Sequence, residues 1–292
     1  SEISTGNIVI ADYGSAEGYN SVLFFNQTLP RFREYSDRPI MIVHNDLPEN
    51  NWGETFKTVL QAPESYLNIP NVYYSGLGRS FNQQIFPNNS VHIGLAALAF
   101  HFLPRPIGAF DHIFVSSSSD LALKSQASEV AHNYLVSLLT LRHKELVPSG
   151  RLLIVFPTDS IGNLFPSVIL QTVNENMYAK GIINEEEKRN VTIPVYARND
   201  EELRRTLDEV GNLYRVIEWK KADDEWRPNE ENREELYESL KALACSHLEA
   251  ILKKVVKRED VGNVIDEYKK EVERVIGEIP FTSFPTFHLV VL

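Results

Sequence analysis

The sequence predicts an α/β fold built on a parallel sheet. Short, wholly apolar runs alternate with segments of helical spacing through the first half of the chain. The first runs end in a glycine turn or an acidic residue, and a last apolar run, Thr286–Leu292, closes the sequence. Continuous apolar runs of this length are the signature of strands covered on both faces by helices.

Asn7–Gly14 (NIVIADYG) reads as a fully buried strand that ends in a turn. Gly18–Tyr35 follows with helical spacing at Val22, Phe25 and Leu29, and Pro30 is expected to kink or end its first part. Pro39–Asp46 (PIMIVHND) is a second buried strand and Trp52–Gln61 a second helix. Val72–Ser75 and Val91–Ala97 are the third and fourth strands. A long helix is predicted over Lys124–Leu146, closed by Val147-Pro148-Ser149-Gly150, before the central strand Arg151–Thr158.

The texture then changes. Leu164–Lys180 reads as a helix, Glu185-Glu186-Glu187 as an acidic turn, and Ile193–Tyr196 as extended chain. Asn199–Val210 is a helix with Asn199 or Asp200 as its cap, and Tyr214–Lys220 an alternating strand. Ala222–Asn232 is polar and reads as a loop. Two amphipathic helices follow, with apolar positions Leu236, Leu240, Leu243, Leu248 and Leu252, then Val261, Ile265, Tyr268, Val272 and Ile276. A final strand returning to a sheet that began at the N-terminus predicts one integrated domain. Its parts are a core over 1–160, a mainly helical cap with interleaved core strands over 161–285, and the last core strand over 286–292. Ligands of open α/β sheets bind at the carboxyl edge of the strands.

Composition narrows the function. Among the 292 residues the formal charge is −11 and no face gathers Lys and Arg, which argues against a nucleic-acid partner. No apolar run approaches the roughly 20 residues that cross a membrane. The single cysteine, Cys245, forms neither an internal disulfide nor a cysteine metal cluster; it reads as a small buried residue in a reducing cytoplasm. Ser1–Asn7 shows no secretory pattern.

Ala11-Asp12-Tyr13-Gly14-Ser15-Ala16-Glu17-Gly18 ends one strand and opens a helix. Glycines there let backbone approach a ligand, and a helix N-terminus offers unpaired N–H groups. The spacing is not G-x-G-x-x-G and lacks the P-loop lysine; an ordinary tight turn would look similar. Asp46, at the end of the second strand, is placed to accept hydrogen bonds from both hydroxyls of a ribose, or else to cap the next helix. Together these residues point to a nucleoside-containing cofactor and do not choose between a nicotinamide dinucleotide and S-adenosylmethionine.

The motifs in order make that choice. IADYGSAEGYNS (Ile10–Ser21) resembles I-A-D-L-G-C-S-S-G-P-N-T, and HNDLPENN (His44–Asn51) resembles N-D-L-P-x-N-D. GRSFNQQIFPNNSVH (Gly78–His92), AFHFL (Ala99–Leu103), ELVPSGRLLIVF (Glu145–Phe156) and VTIPVYARNDEEL (Val191–Leu203) continue the series. All are similar to motifs of the SABATH family, S-adenosylmethionine-dependent carboxyl methyltransferases of the salicylic and jasmonic acid type. The resemblance implies a Rossmann-like class I methyltransferase sheet, with helices on both faces and a mainly helical cap. It places Asp12, Gly14 and Ser15 beside the methionine moiety of the cofactor, with Asn20 close by. Asp46 would hold the ribose, Leu47 pack on the adenine, and Ser80 and Phe81 hold the adenine edge and face. His101 corresponds to the histidine that hydrogen-bonds the substrate carboxylate, where position alone would suggest a core histidine. Leu98 and Phe102, with Phe156 and Phe165, would surround the acid.

This chain also departs from the family. The Trp after the histidine is Phe102, and Ala97, Leu98 and Ala99 make the neighbouring wall apolar. Arg189-Asn190-Val191-Thr192 stands where some members carry an acidic segment linked to magnesium, so no metal is expected. A family segment that closes the site has no counterpart ahead of Asn7. Homodimerisation is implied only by the resemblance. The expected reaction is methylation of a small carboxylic acid, with S-adenosylhomocysteine as product. N-methylation of a heteroaromatic ring, a binding protein without catalysis, and a nicotinamide oxidoreductase are the competing readings.

Overall fold

The computed structural model describes residues 6–104, 107–158, 165–223, 248–278 and 286–292. Strands β1 (Ile8–Tyr13), β2 (Ile40–Asp46), β3 (Val72–Gly78), β4 (Val91–Ala97), β5 (Leu146–Pro157), β6 (Glu218–Asp223) and β7 (Thr286–Val291) form one sheet of order β3-β2-β1-β4-β5-β7-β6. The first five are parallel; β7 runs antiparallel to both β5 and β6. Sequence order reverses direction at β1, which lies between β2 and β4. A crevice outside the carboxyl ends of the strands opens at such a point.

Both faces of the sheet are covered because alternate side chains of the apolar runs point opposite ways. Ile8, Ile10, Ile40, Ile42 and Leu95 pack with Val22, Phe25 and Leu29 of α1 (Tyr19–Arg33) and Val59 of α2 (Trp52–Gln61). Ala11, Tyr13, Ala96, Leu152 and Ile154 pack on the other face with Leu135, Leu138 and Leu139 of α3 (Leu121–Glu145). A third cluster makes the cap. It joins α4 (Phe165–Ala179), Ile183 and Val191 on either side of α5 (Glu185–Asn190), the helical residues 248–255 (α7) and α8 (Val261–Glu278). The remaining helix, α6 (Asp200–Glu209), packs beside α3. None of the described helices is long and apolar enough to cross a membrane.

Several local expectations change. Helix α1 runs through Pro30 to Arg33, because the proline falls in its last turn and Leu29 anchors that turn in the core. The acidic turn at Glu185 is instead α5, opened by a capping box in which Asn184 and Glu187 satisfy each other's backbone N–H. The strand expected from Tyr214 begins at Glu218; Tyr214 is held back by hydrogen bonds to the Val210 and Leu139 carbonyls. Val72 opens a strand three residues longer than expected, and α3 starts at Leu121 behind an Asp120 cap. Cys245, Leu236, Leu240, Leu243 and most of the expected 222–232 loop lie outside the described residues.

One buried carboxylate ties the cap together. Glu271 of α8 accepts from Asn176 Nδ2 at 2.8 Å, from Arg274 Nη2 at 2.6 Å and from Lys180 Nζ. These bonds, Arg274 first, hold its carboxyl down to about 2 against the opposing effect of burial. A depressed folded-state value gives stability that is present above the ordinary carboxylate range and lost as pH falls towards the folded one. Glu271→Gln is expected to cost about 2 kcal/mol at neutral pH, a figure reduced because Arg274 and Lys180 are half exposed. Urea midpoints should show wild type and variant converging as pH falls from about 5 to about 2.5. A gap that stays constant would refute this.

Candidate active site

The carboxyl ends of β1, β2 and β4 converge with the loop after β3. Gly14 has φ +78°, and a Cβ there would sit 2.5 Å from Cβ of Ala99 and 3.7 Å from the Phe81 ring. The turn after β1, the 80–86 loop and the segment after β4 therefore meet at one glycine, which needs both its positive φ and its missing side chain. Gly14 and Ser15 donate their N–H groups to the Asn45 carbonyl, at 2.8 and 3.0 Å. Ser15 is buried, and its Oγ has no hydrogen-bond partner among the described residues. A buried hydroxyl left unpaired at a helix entrance calls for a ligand.

Asp46 shapes the next part. Its Oδ2 accepts from Ala16 N at 2.7 Å and its Oδ1 from Leu47 N at 2.8 Å. Two backbone bonds fix the carboxylate plane and leave lone pairs on both oxygens for further donors. Leu47 beside it is 51% exposed, an apolar surface at the mouth of the crevice. Ser80 and Phe81 stand on the loop after β3; Phe81 packs on Phe100 at 5.3 Å between centroids. Asn45 Nδ2 holds the start of this loop through the Leu77 and Arg79 carbonyls, at 2.9 and 2.6 Å. Asn20 lies exposed on the first turn of α1.

Asp12 faces the interior. Its Oδ2 accepts from Ser21 Oγ at 2.6 Å and meets His44 Nδ1 at 2.8 Å, while His44 Nε2 meets the Tyr66 hydroxyl at 2.6 Å. Burial, then the Asp12 charge, drives the Tyr66 phenol far above its ordinary range, so it keeps its proton. The phenol then donates to Nε2, and Nδ1–H donates to Asp12. This buried relay braces β1 against β2 from beneath the crevice.

The segment after β4 carries Leu98, His101 and Phe102. Leu98 is exposed with φ +54°, its N–H bonded to the Val155 carbonyl at 3.0 Å. His101 is buried, its ring tilted against Phe102 with centroids 4.4 Å apart, and its carbonyl accepts from Tyr196 N at 2.9 Å. Phe102 bridges to Val195 and packs on the cap cluster. Phe156 is fully buried on the α3 side, with the Arg198 guanidinium 5.6 Å above its ring. It belongs to the core behind the site. The side chain of Phe165 lies outside the described residues.

Sequence reading did not single out the residues that hold these pieces: His44, Asn45, Tyr13, Arg142, Glu145 and Arg198. Arg198 is wholly buried, bonded to the Tyr196 and Ala131 carbonyls, and burial lowers its guanidinium to about 10.

A sheet of this order, with a glycine turn after β1 and an acidic residue ending β2, defines a Rossmann-like α/β fold. The fold is shared with a solved loganic acid methyltransferase with SAH, at a TM-score of 0.74 and 18% identity over 99% of this chain and 85% of that one. The profile of the SAM dependent carboxyl methyltransferases matches residues 1–291, and the chain belongs to that family. It is 25% identical to a jasmonate O-methyltransferase of Arabidopsis thaliana, across 100% of this chain and 86% of that protein. It is also 24% identical to the methyltransferase FUS9 of Gibberella moniliformis, where 74% of this chain spans 60% of the relative's length.

The residues present fit S-adenosylmethionine. The Ser15 hydroxyl is without a partner among the described residues, Asp46 keeps lone pairs on both oxygens, and Leu47 is uncovered, which are groups that could take up the amino-acid, ribose and base portions of such a molecule.

Proposed function

We propose that the protein transfers a methyl group from S-adenosylmethionine to the carboxylate of a small organic acid, giving a methyl ester. The observation that carries this reading is the convergence of Gly14, Ala99 and Phe81, which sets the cofactor turn directly against the segment bearing His101. Gly14 and Ser15 hold the methionine end with Asp12 bracing them, Asn20 at their flank. Asp46 holds the ribose, and Leu47, Ser80 and Phe81 hold the adenine.

The cofactor supplies an electrophilic methyl on a sulfonium. A carboxylate oxygen of the acid would be the nucleophile for that methyl and S-adenosylhomocysteine the leaving group, with no proton transferred. Carboxylic acids, with a pKa of about 4, are already ionised at neutral pH, so no general base is required. His101 orients the acid by donating to one carboxylate oxygen, leaving the other in line with the methyl. Leu98 and Phe102 keep water out, and Phe102 offers a ring face where a Trp would add a donor. An apolar wall of this kind suits an acid with an aromatic or aliphatic body, as in the jasmonate relative. The reading also carries a cytoplasmic location, on the single cysteine, and a homodimer, on the family resemblance; light scattering tests the second.

Calorimetric titration with S-adenosylhomocysteine, then a methyl-transfer screen over small carboxylic acids, tests the function. Binding with ester formation is the expected result. Binding with turnover only on ring nitrogens would replace the acceptor, and binding with no turnover on either class would replace catalysis by ligand carriage.

A further inference from the structure

The ELVP motif carries an acidic residue that the transfer reaction does not use, and it is buried. Arg142 and Glu145 sit three residues apart in the last turn of α3, both side chains fully enclosed, with Nε 2.9 Å from Oε2. A buried ion pair is a weak source of stability, because desolvating two charges offsets their attraction and apolar side chains would fill the space as well. Its value lies in direction.

Here every remaining polar atom of the pair reaches for one loop. Arg142 Nη1 donates to the Phe81 carbonyl and Nη2 to the Gln83 carbonyl, each at 2.9 Å. Glu145 Oε1 accepts from Ile85 N at 2.7 Å and Phe86 N at 3.2 Å. Glu145 Oε2 accepts from the Tyr13 hydroxyl at 2.8 Å, and the guanidinium lies 4.6 Å over the Tyr13 ring. Burial, then the Glu145 charge, pushes the Tyr13 phenol well above its ordinary value, so it stays a donor. Residues 79–90 contain no helix or strand, so no ladder fixes them. Tyr13 is the residue before Gly14.

We propose that Arg142 and Glu145 are positioning residues for the cofactor: the pair clamps the 81–86 loop in one conformation and registers it, through Tyr13, against the glycine turn. The inference rests on the reading that Phe81 holds the adenine. An arginine fork can grip two carbonyls at once, whereas a lysine presents a single point charge.

The test uses the full chain with S-adenosylhomocysteine as probe. Arg142→Lys keeps the charge beside Glu145 and loses the fork. Its dissociation constant for S-adenosylhomocysteine and its KM for S-adenosylmethionine are expected to rise about tenfold. At saturating cofactor, kcat and the KM for the acid should stay within about twofold of wild type, because binding rather than the transfer step is affected. Tyr13→Phe, which removes only the hydroxyl bond to Glu145, is expected to raise the same dissociation constant about threefold. A lowered thermal midpoint with unchanged cofactor affinity in both variants would make the pair structural alone and overturn the proposal. Phe81→Ala separates the premises. If Phe81→Ala leaves affinity unchanged, the adenine assignment falls and the proposal with it; if it weakens binding while Arg142→Lys and Tyr13→Phe do not, only the clamp falls.

Discussion

Replacing Asp46 by alanine is expected to weaken S-adenosylhomocysteine binding by about a hundredfold, the loss of two hydrogen bonds to a charged acceptor. The geometry gives the reason. Each carboxylate oxygen already takes one backbone N–H, from Ala16 and from Leu47, and these bonds fix the carboxylate while leaving a lone pair open on each oxygen. A ribose presents two adjacent hydroxyls, which match two oxygens of one carboxylate. Asp46→Asn is the informative companion. It keeps one carbonyl acceptor and puts an NH2 group where the second oxygen was, next to a backbone donor, so it should recover little. Calorimetry on both variants, with circular dichroism to confirm folding, decides the matter. A dissociation constant within threefold of wild type for Asp46→Ala would make the residue a brace for the Ala16 turn and no more.

Asp46 shows what the sequence discloses well. Its position follows from a buried strand that ends in a polar turn, and the structure ends β2 at that residue. The apolar runs disclosed the other central strands for the same reason: strands covered on both faces have no polar alternation to confuse with a helix. Direction is different. The run TFHLVV reads the same whether its strand enters the sheet parallel or antiparallel, and β7 is antiparallel. Nothing local marked it, because direction is set by the tertiary arrangement and not by the residues of the run itself.

The supports of the site were hidden for a related reason. Arg142 and Glu145 read as ordinary charges in the last turn of a helix, a place where solvated Lys, Arg and Glu are common. Only the fold brings the 81–86 loop across them and removes the water. His44, inside an apolar run, carried a weak signal of its own: a histidine pointing into a core needs partners on both nitrogens, and Asp12 and Tyr66 are those partners. The α5 helix, by contrast, could have been read. Asn184 and Glu187 stand in capping-box spacing, and the three acidic residues of its first turn suit a helix N-terminus as well as a turn.

His101→Ala tests the acceptor side and carries the largest expected effect on turnover. Second-order rates with the acid, at saturating cofactor, should fall about a hundredfold, the size found when a positioning donor at a reacting centre is lost. That corresponds to about 2.7 kcal/mol of transition-state stabilisation. Cofactor affinity should stay within twofold, because Asp46, Leu47 and Phe81 lie on other elements of the crevice. His101 is buried on the segment after β4, with Phe102 against one face of its ring and its own carbonyl fixed by Tyr196 N, so the ring has little freedom to swing aside. An acid that is already ionised needs no proton removed, so the variant should lose rate without gaining a new pH dependence between about pH 6 and 9. A nitrogen acceptor that sheds a proton would behave otherwise, with rates climbing as pH rises once the histidine is gone. His101→Gln, which retains a donor on a shorter reach, should fall between the two. Full activity in His101→Ala would remove the histidine from the reaction and leave alignment of the acid to the Leu98 and Phe102 wall alone.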